Sequence, residues 1–168
     1  MHKSVINGPL ARAAQRVEGV TFNDLYEQYP DYLIDVKREQ ELLAVHDVIV
    51  WQHPFHWYSA PSIVKEWCDV VLEYGYAYGP GGTHLRGKTW VHAITTGGAA
   101  EAYHSTGVNR YTVKELMAPF EQTAHLCGMN YIQPRVLHGA LSLHRELDLP
   151  REAQDYARWL TALRDGSH

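Results

Sequence analysis

A chain of 168 residues with 45% hydrophobic and 20% charged residues has the length and balance of one folded domain, which excludes a disordered segment. A net charge of −4 with histidines neutral excludes the basic field that nucleic acid or anionic lipid would need, while eleven histidines make that charge sensitive to mild acid. Two cysteines, Cys68 and Cys127, without CxxC or metal spacing exclude a disulfide framework and read as buried thiols; no apolar run is long enough to cross a bilayer, and the first residues lack a signal peptide's apolar stretch, so a cytoplasmic protein is expected.

Residues 9–17 are expected to form a helix with Leu10, Ala13, Ala14 and Val17 on one face. Gly19 stops it, and Val20-Thr-Phe-Asn-Asp-Leu-Tyr26 alternates as a strand would. After a connection over 31–35, residues 36–45 read as a short helix with Lys37, Arg38 and Glu39 exposed. Asp47-Val-Ile-Val-Trp-Gln52 is a continuous apolar run, as expected of a buried parallel strand. Residues 62–72 form an amphipathic helix turning Ile63, Trp67, Val70 and Val71 inward. The segment 74–87, rich in Gly and aromatics, reads as a long functional loop. A second apolar strand covers 88–95 and a second loop 97–108. A helix over 112–127 follows, kinked at Pro119, and Gly128 caps it. The last strand is expected over 130–137, and a final helix from Asp148 to about residue 164 has Pro150 in its first turn. Alternating strands and helices in one domain imply a parallel sheet with helices on both faces. Four strands are counted, and the chain opens on a helix.

In such sheets ligands bind beyond the carboxyl ends of the strands, and three segments there carry unusual residues. Gln52-His-Pro-Phe-His-Trp-Tyr-Ser-Ala-Pro61 offers flat apolar surface and backbone N–H donors, the two things an isoalloxazine ring needs. Covering the core or a dimer interface is the alternative use of Trp57 and Tyr58. Thr95-Thr-Gly-Gly98 lets backbone approach a ligand or simply turns. Ser4-Val-Ile-Asn7 opens the first helix as an anion site or an ordinary N-cap.

Together these segments resemble the flavodoxin-like NAD(P)H:quinone oxidoreductases, a family that includes general-stress flavoproteins and the ancillary proteins of glutathione-gated potassium efflux systems. The most specific stretch is His53-Pro-Phe-His-Trp-Tyr-Ser-Ala-Pro-Ser-Ile-Val-Lys-Glu-Trp-Cys-Asp69. Tyr26-Glu-Gln-Tyr-Pro-Asp31, Tyr76-Ala-Tyr-Gly-Pro-Gly-Gly82 and Leu85-Arg-Gly-Lys88 point to the efflux branch. The resemblance implies a flavodoxin-like sandwich binding FMN, with FAD the alternative, and using NAD(P)H as co-substrate. It assigns Ser4 and Asn7 to the flavin phosphate, and Pro54, Phe55, His56, Trp57 and Tyr58 to the ring. Thr95, Thr96, Gly97 and Gly98 fall at the ring's other edge, and Tyr103 at the active-site tyrosine, with Gly107 a family glycine. It also implies a homodimer, with the aromatic loop 74–78 near the interface.

Two departures stand out. Where some quinone reductases carry a histidine two residues past that glycine, this chain has Asn109, which donates a hydrogen bond but carries no proton. Relatives begin with a buried strand that this sequence does not show, and its absence is expected to open the sheet's interior. The expected function is FMN-dependent transfer of a hydride from NAD(P)H to a quinone, with ping-pong kinetics. The alternative is a regulatory subunit on a potassium efflux transporter, peripheral at the inner face of the membrane, with weak or no flavin activity. Metal-dependent hydrolysis by His53, His56, His84, His92 and His104 is disfavoured because no HExxH or paired-carboxylate pattern accompanies them.

Overall fold

A computed structural model describes residues 4–141 and 148–167. Strand β1 (Val48–Pro54) pairs in parallel with β2 (Thr89–Thr95) along its whole length, Val48 opposite Thr89 and Pro54 opposite Thr95. On the other side of β2, β3 (Asn130–Tyr131) pairs with Thr89 and Trp90, and β4 (Arg135–Leu137) with Ala93 to Thr95, both parallel. The expected strand over 130–137 is thus two short pieces. Pro134 has no N–H to give a ladder, so pairing lapses there and resumes one residue later.

Because β2 is central it is buried on both faces, and its pleat divides the core. Trp90 and Ile94 join the larger cluster, while Val91 and Ala93 join the smaller. The smaller cluster is closed by α1 (Asn7–Ala14) and α7 (Leu149–Arg164), which supply Leu10, Ala14, Tyr156, Leu160 and Leu163. The larger is closed by α3 (Val36–Ala44), α4 (Ser62–Val71), α5 (Val113–Leu116) and α6 (Ala118–Leu126). Ile63, Val64, Trp67 and Val71 of α4 form its inner face, each buried side chain contributing roughly 1.5–3 kcal/mol. The architecture is an open parallel sheet with helices on both faces, as the alternating pattern implied. Among the described residues no helix is long and apolar enough to cross a membrane. Cys127 is buried and Cys68 half-buried, both as thiols; burial pushes the Cys68 thiol up to about 12.

Four expectations are corrected. The first helix starts two residues earlier than the periodicity suggested, because the Ser4 hydroxyl accepts the Asn7 N–H at 3.0 Å, and it ends at Ala14. The helix expected over 112–127 is two helices. A Thr112/Glu115 capping box starts α5, and Pro119 lies in the first turn of α6, where its missing N–H leaves no bond unmade. Residues 20–26 form no strand; they run irregularly into the one-turn helix α2 (Leu25–Gln28), capped by Asp24. Alternation cannot make a strand without a ladder partner. The outer edge of β1 faces a cavity of about 570 Å³, and residues 19–26 line it as well. Finally Glu39, expected in solvent, is 3% exposed. Asn23, Tyr29, Arg38 and Trp67 all donate to its carboxylate, at 2.6–3.0 Å.

Candidate functional site

All three suspect segments meet where β1 and β2 end. Pro54 lies opposite Thr95, and the Phe55 N–H donates to the Thr95 carbonyl at 2.8 Å. Asn7, in the first turn of α1, bonds through its amide to the Thr95 hydroxyl at 2.8 Å, and Gln52 donates to the Asn7 carbonyl at 3.0 Å. The Asn7 amide oxygen is buried without a partner among the described residues. Since a hydroxyl can either give or take a proton, the Thr95 contact leaves one polar position of the Asn7 amide for a ligand. Ser4, whose hydroxyl accepts the Asn7 N–H, lines with Asn7 the cavity along the edge of β1.

The turn beyond β1 is strained. His56 and Ser59 exchange two backbone hydrogen bonds, at 3.1 and 2.9 Å. Between them Trp57 and Tyr58 both take positive φ, 50° and 62°. A two-residue turn of this form normally holds Asn-Gly; left-handed backbone costs a bulky residue roughly 1–2 kcal/mol. Trp57 is 93% exposed, so it covers no core of its own chain. The strain places two aromatic side chains in solvent beside the site. The Tyr58 hydroxyl donates to Asn109 Oδ1 at 3.3 Å.

The 95–98 loop holds the other side. Thr95 and Thr96 are buried. The Thr96 hydroxyl donates to the Gly98 carbonyl at 2.9 Å, so it accepts from His138 Nδ1, also at 2.9 Å. That fixes the His138 proton on Nδ1 and leaves the lone pair on Nε2. Burial holds the His138 imidazole below its ordinary value, against the pull of the Glu101 carboxylate. Tyr103 lies between Phe55 and His138, with ring centroids 6.1 and 5.5 Å away. Gly98 lies directly against it: a Cβ there would sit 3.8 Å from the Tyr103 hydroxyl, an ordinary van der Waals contact. At Gly107 a Cβ would fall 2.6 Å from the Ala102 carbonyl oxygen, which is why glycine closes this loop.

The structure therefore brings together Ser4, Asn7, Pro54, Phe55, Thr95, Thr96, Gly98 and Tyr103, with Trp57 and Tyr58 at the tip. Asn109 bonds to Tyr58 in this arrangement, and the ring beside Tyr103 is that of His138. Sequence reasoning missed His138; its one signal was its place just after an apolar strand end. The five histidines weighed as metal ligands are scattered except for His53 and His92, which touch each other in the core. No group of three or more His, Cys, Asp or Glu among the described residues could hold a metal ion.

Comparison with known proteins adds the following. The family described as flavodoxin-like fold matches residues 1–160. The glutathione-regulated potassium-efflux system ancillary protein KefG of Pectobacterium atrosepticum is 45% identical over 159 residues, 95% of this chain and 86% of that protein. The general stress protein 14 of Treponema denticola, solved in complex with FMN, superposes with a TM-score of 0.88 at 37% identity, covering 96% of this chain and 92% of the other. An NADPH-quinone reductase from P. pentosaceus superposes with a TM-score of 0.82 at 28% identity, covering 94% and 89%.

Proposed function

From the premise that this chain belongs to the flavodoxin-like family, to which the efflux ancillary proteins and the FMN-bound stress protein are its relatives, we propose that it is an FMN-dependent NAD(P)H:quinone oxidoreductase. The observation that carries the reading is the meeting of three loops at the carboxyl ends of β1 and β2, tied through Thr95 to both Asn7 and Phe55. The residues suit the group. A polar helix start with a spare amide position at Asn7 suits a phosphate. The exposed aromatic tip and the buried threonine-glycine loop suit a flat ring. Ser4 and Asn7 would hold the phosphate, and the 54–58 turn with Thr95, Thr96, Gly97 and Gly98 would hold the isoalloxazine.

When bound, FMN supplies a two-electron carrier that takes hydride from NAD(P)H and gives it to a quinone in alternating half-reactions. The chain's own part is positioning and proton handling. The Tyr103 hydroxyl donates a hydrogen bond to the acceptor oxygen. Hydride delivery leaves the acceptor oxygen in need of a proton, and His138, its ring centroid 5.5 Å from that of Tyr103 and its Nε2 lone pair able to take a proton from solvent, would pass one to that tyrosine. Histidine thus enters from β4, and the polar Asn109 is left to steady the aromatic tip. The test is a visible spectrum of the purified protein with added FMN, followed by NAD(P)H:quinone turnover. Retained flavin bands with turnover are expected. Tyr103→Phe should keep the flavin and lower kcat about tenfold. Colourless protein that releases all added FMN would overturn the reading.

A second role rests on the 45% identity to a potassium-efflux ancillary protein: the chain is a cytoplasmic partner of an efflux transporter, working as a homodimer. The exposed Tyr74, edge-on to Tyr78 at 5.7 Å, supports a contact surface in the 74–78 loop. Co-purification with a membrane-embedded transporter would test it, and failure alongside brisk quinone turnover would count against it.

A further inference from the structure

Beneath the aromatic turn runs a chain of hydrogen bonds that the proposed chemistry does not use. Trp90 Nε1 donates to His92 Nε2 at 2.8 Å, His92 Nδ1 meets His53 Nε2 at 2.9 Å, and His53 Nδ1 meets the Pro54 carbonyl at 2.9 Å. The two ends independently force one polarity. An indole N–H can only donate, so His92 Nε2 accepts and its proton is on Nδ1. A carbonyl can only accept, so the His53 proton is also on Nδ1, and Nε2 takes the bond from His92. Both rings are fully used, buried at 2% and 0% exposure, and packed edge to face at 5.2 Å.

The chain ends on one peptide group. The Pro54 carbonyl is held by His53, and the Phe55 N–H of the same peptide is held by the Thr95 carbonyl. With both polar ends fixed, the plane of that peptide is set. From it springs the turn that raises Trp57 and Tyr58 in unfavourable backbone conformations. A strained turn needs surroundings that dictate its entry angle, and here a directed, neutral relay from the core supplies it.

We propose that His53 and His92 are positioning residues that orient the Pro54–Phe55 peptide, and through it the ligand-binding turn, by a hydrogen-bond relay of fixed polarity starting at Trp90. This rests on the FMN reading above. Burial keeps both imidazoles neutral, His53 down to about 4, which preserves the polarity at neutral pH.

Two substitutions separate positioning from plain packing. In His53→Asn the side-chain amide N–H falls near the Nδ1 position and still donates to Pro54, while the bond to His92 is lost. In His53→Gln the amide reaches the Nε2 position and keeps His92, but nothing donates to Pro54. A packing role makes Gln the better substitute, since it retains the core contact. Positioning reverses the order for the ligand: FMN affinity within about threefold of wild type for Asn, and at least tenfold weaker for Gln, although Gln melts higher. Affinity that follows the melting order, or is equal in both variants, overturns the proposal.

Amide and imidazole NMR of the flavin-free protein reads the same question without FMN. Wild type should show two slowly exchanging Nδ1–H signals at neutral pH, and the Phe55–Ser59 amides should shift in His53→Gln but stay in place in His53→Asn. Equal shifts in both overturn the relay. Wild type that binds no FMN sinks the functional reading alone, and the amide shifts still decide the inference. Where either variant fails to fold, Trp90→Phe removes the donor that fixes the polarity. It should move or broaden both Nδ1–H signals and weaken FMN binding several-fold; unchanged signals overturn the proposal.

Discussion

Two buried polar clusters sit on the same face of this sheet and solve one problem in opposite ways. Around Glu39 a full negative charge is surrounded by donors: the Tyr29 hydroxyl, the Trp67 indole, the Asn23 amide and the Arg38 guanidinium. Around His53 and His92 there is no charge, only a row of groups each giving one proton and taking one. The charged cluster is multidirectional and works as a clamp, holding the irregular segment that carries Asn23 and Tyr29 onto α3 and α4. The neutral cluster has a direction and works as a pointer, with its output at one peptide group under the site. Burying a charge demands several donors at once, whereas a relay needs only consistent tautomers.

The comparison is tested most severely at the clamp. Glu39→Ala strands two buried donors, the Tyr29 hydroxyl and the Trp67 indole, together with the half-buried Asn23 and Arg38, and unfolding in urea should show a loss of about 4 kcal/mol with proteolytic cleavage first appearing within 20–30. A loss below about 1 kcal/mol would mean the clamp is incidental.

Acid should act on the pointer. The folded value for His53 lies below its ordinary value of 6.5, near 4, so on acidification the unfolded chain binds the proton first. The stability this group contributes is complete above its unfolded value and is lost as pH falls from about 6.5 toward 4. Between pH 7 and pH 5 the loss from His53 is roughly 2 kcal/mol, with His92 acting in the same direction. Urea midpoints at the two pH values check this, and a flat profile would show that burial does not lower the His53 value.

Smaller effects belong to the tip that the pointer directs. Trp57→Ala removes an exposed ring, so the melting temperature should hardly move while FMN affinity falls about tenfold, or roughly 1.4 kcal/mol. Fluorescence titration reads the affinity, and unchanged binding would remove Trp57 from the site. Smallest of all, Trp57→Gly relieves the positive φ and should raise stability by roughly 0.5 kcal/mol, relief partly offset by the freer unfolded chain. A loss of stability there would show that the Trp57 ring packs in a way its exposure does not suggest.

Much of the site was legible because it is local. The 52–61 segment, Thr95-Thr-Gly-Gly98 and Ser4 with Asn7 all follow or flank strand ends, and strand ends are where open sheets bind. Asn109 was read as a hydrogen-bonding group that cannot relay a proton, and its engagement with Tyr58, 51 residues away, could not be seen. His138 was invisible because it meets Thr96 across 42 residues, with nothing around it in the sequence but a strand and a glycine.

What the sequence determined by itself was whatever a short window of side chains decides. The unbroken apolar runs made β1 and β2, the spacing of Ile63, Trp67 and Val71 made α4, and the alternation of these elements dictated the layered α/β fold. Tertiary structure alone decided the rest. Residues 20–26 alternate like a strand but are not one, since a strand exists only where another backbone bonds to it. Glu39 reads as a surface carboxylate but is buried, since Tyr29 and Trp67 arrive from 10 and 28 residues away to bond to it. His53 and His92, 39 residues apart, became one directed relay only because two parallel strands in register brought them side by side.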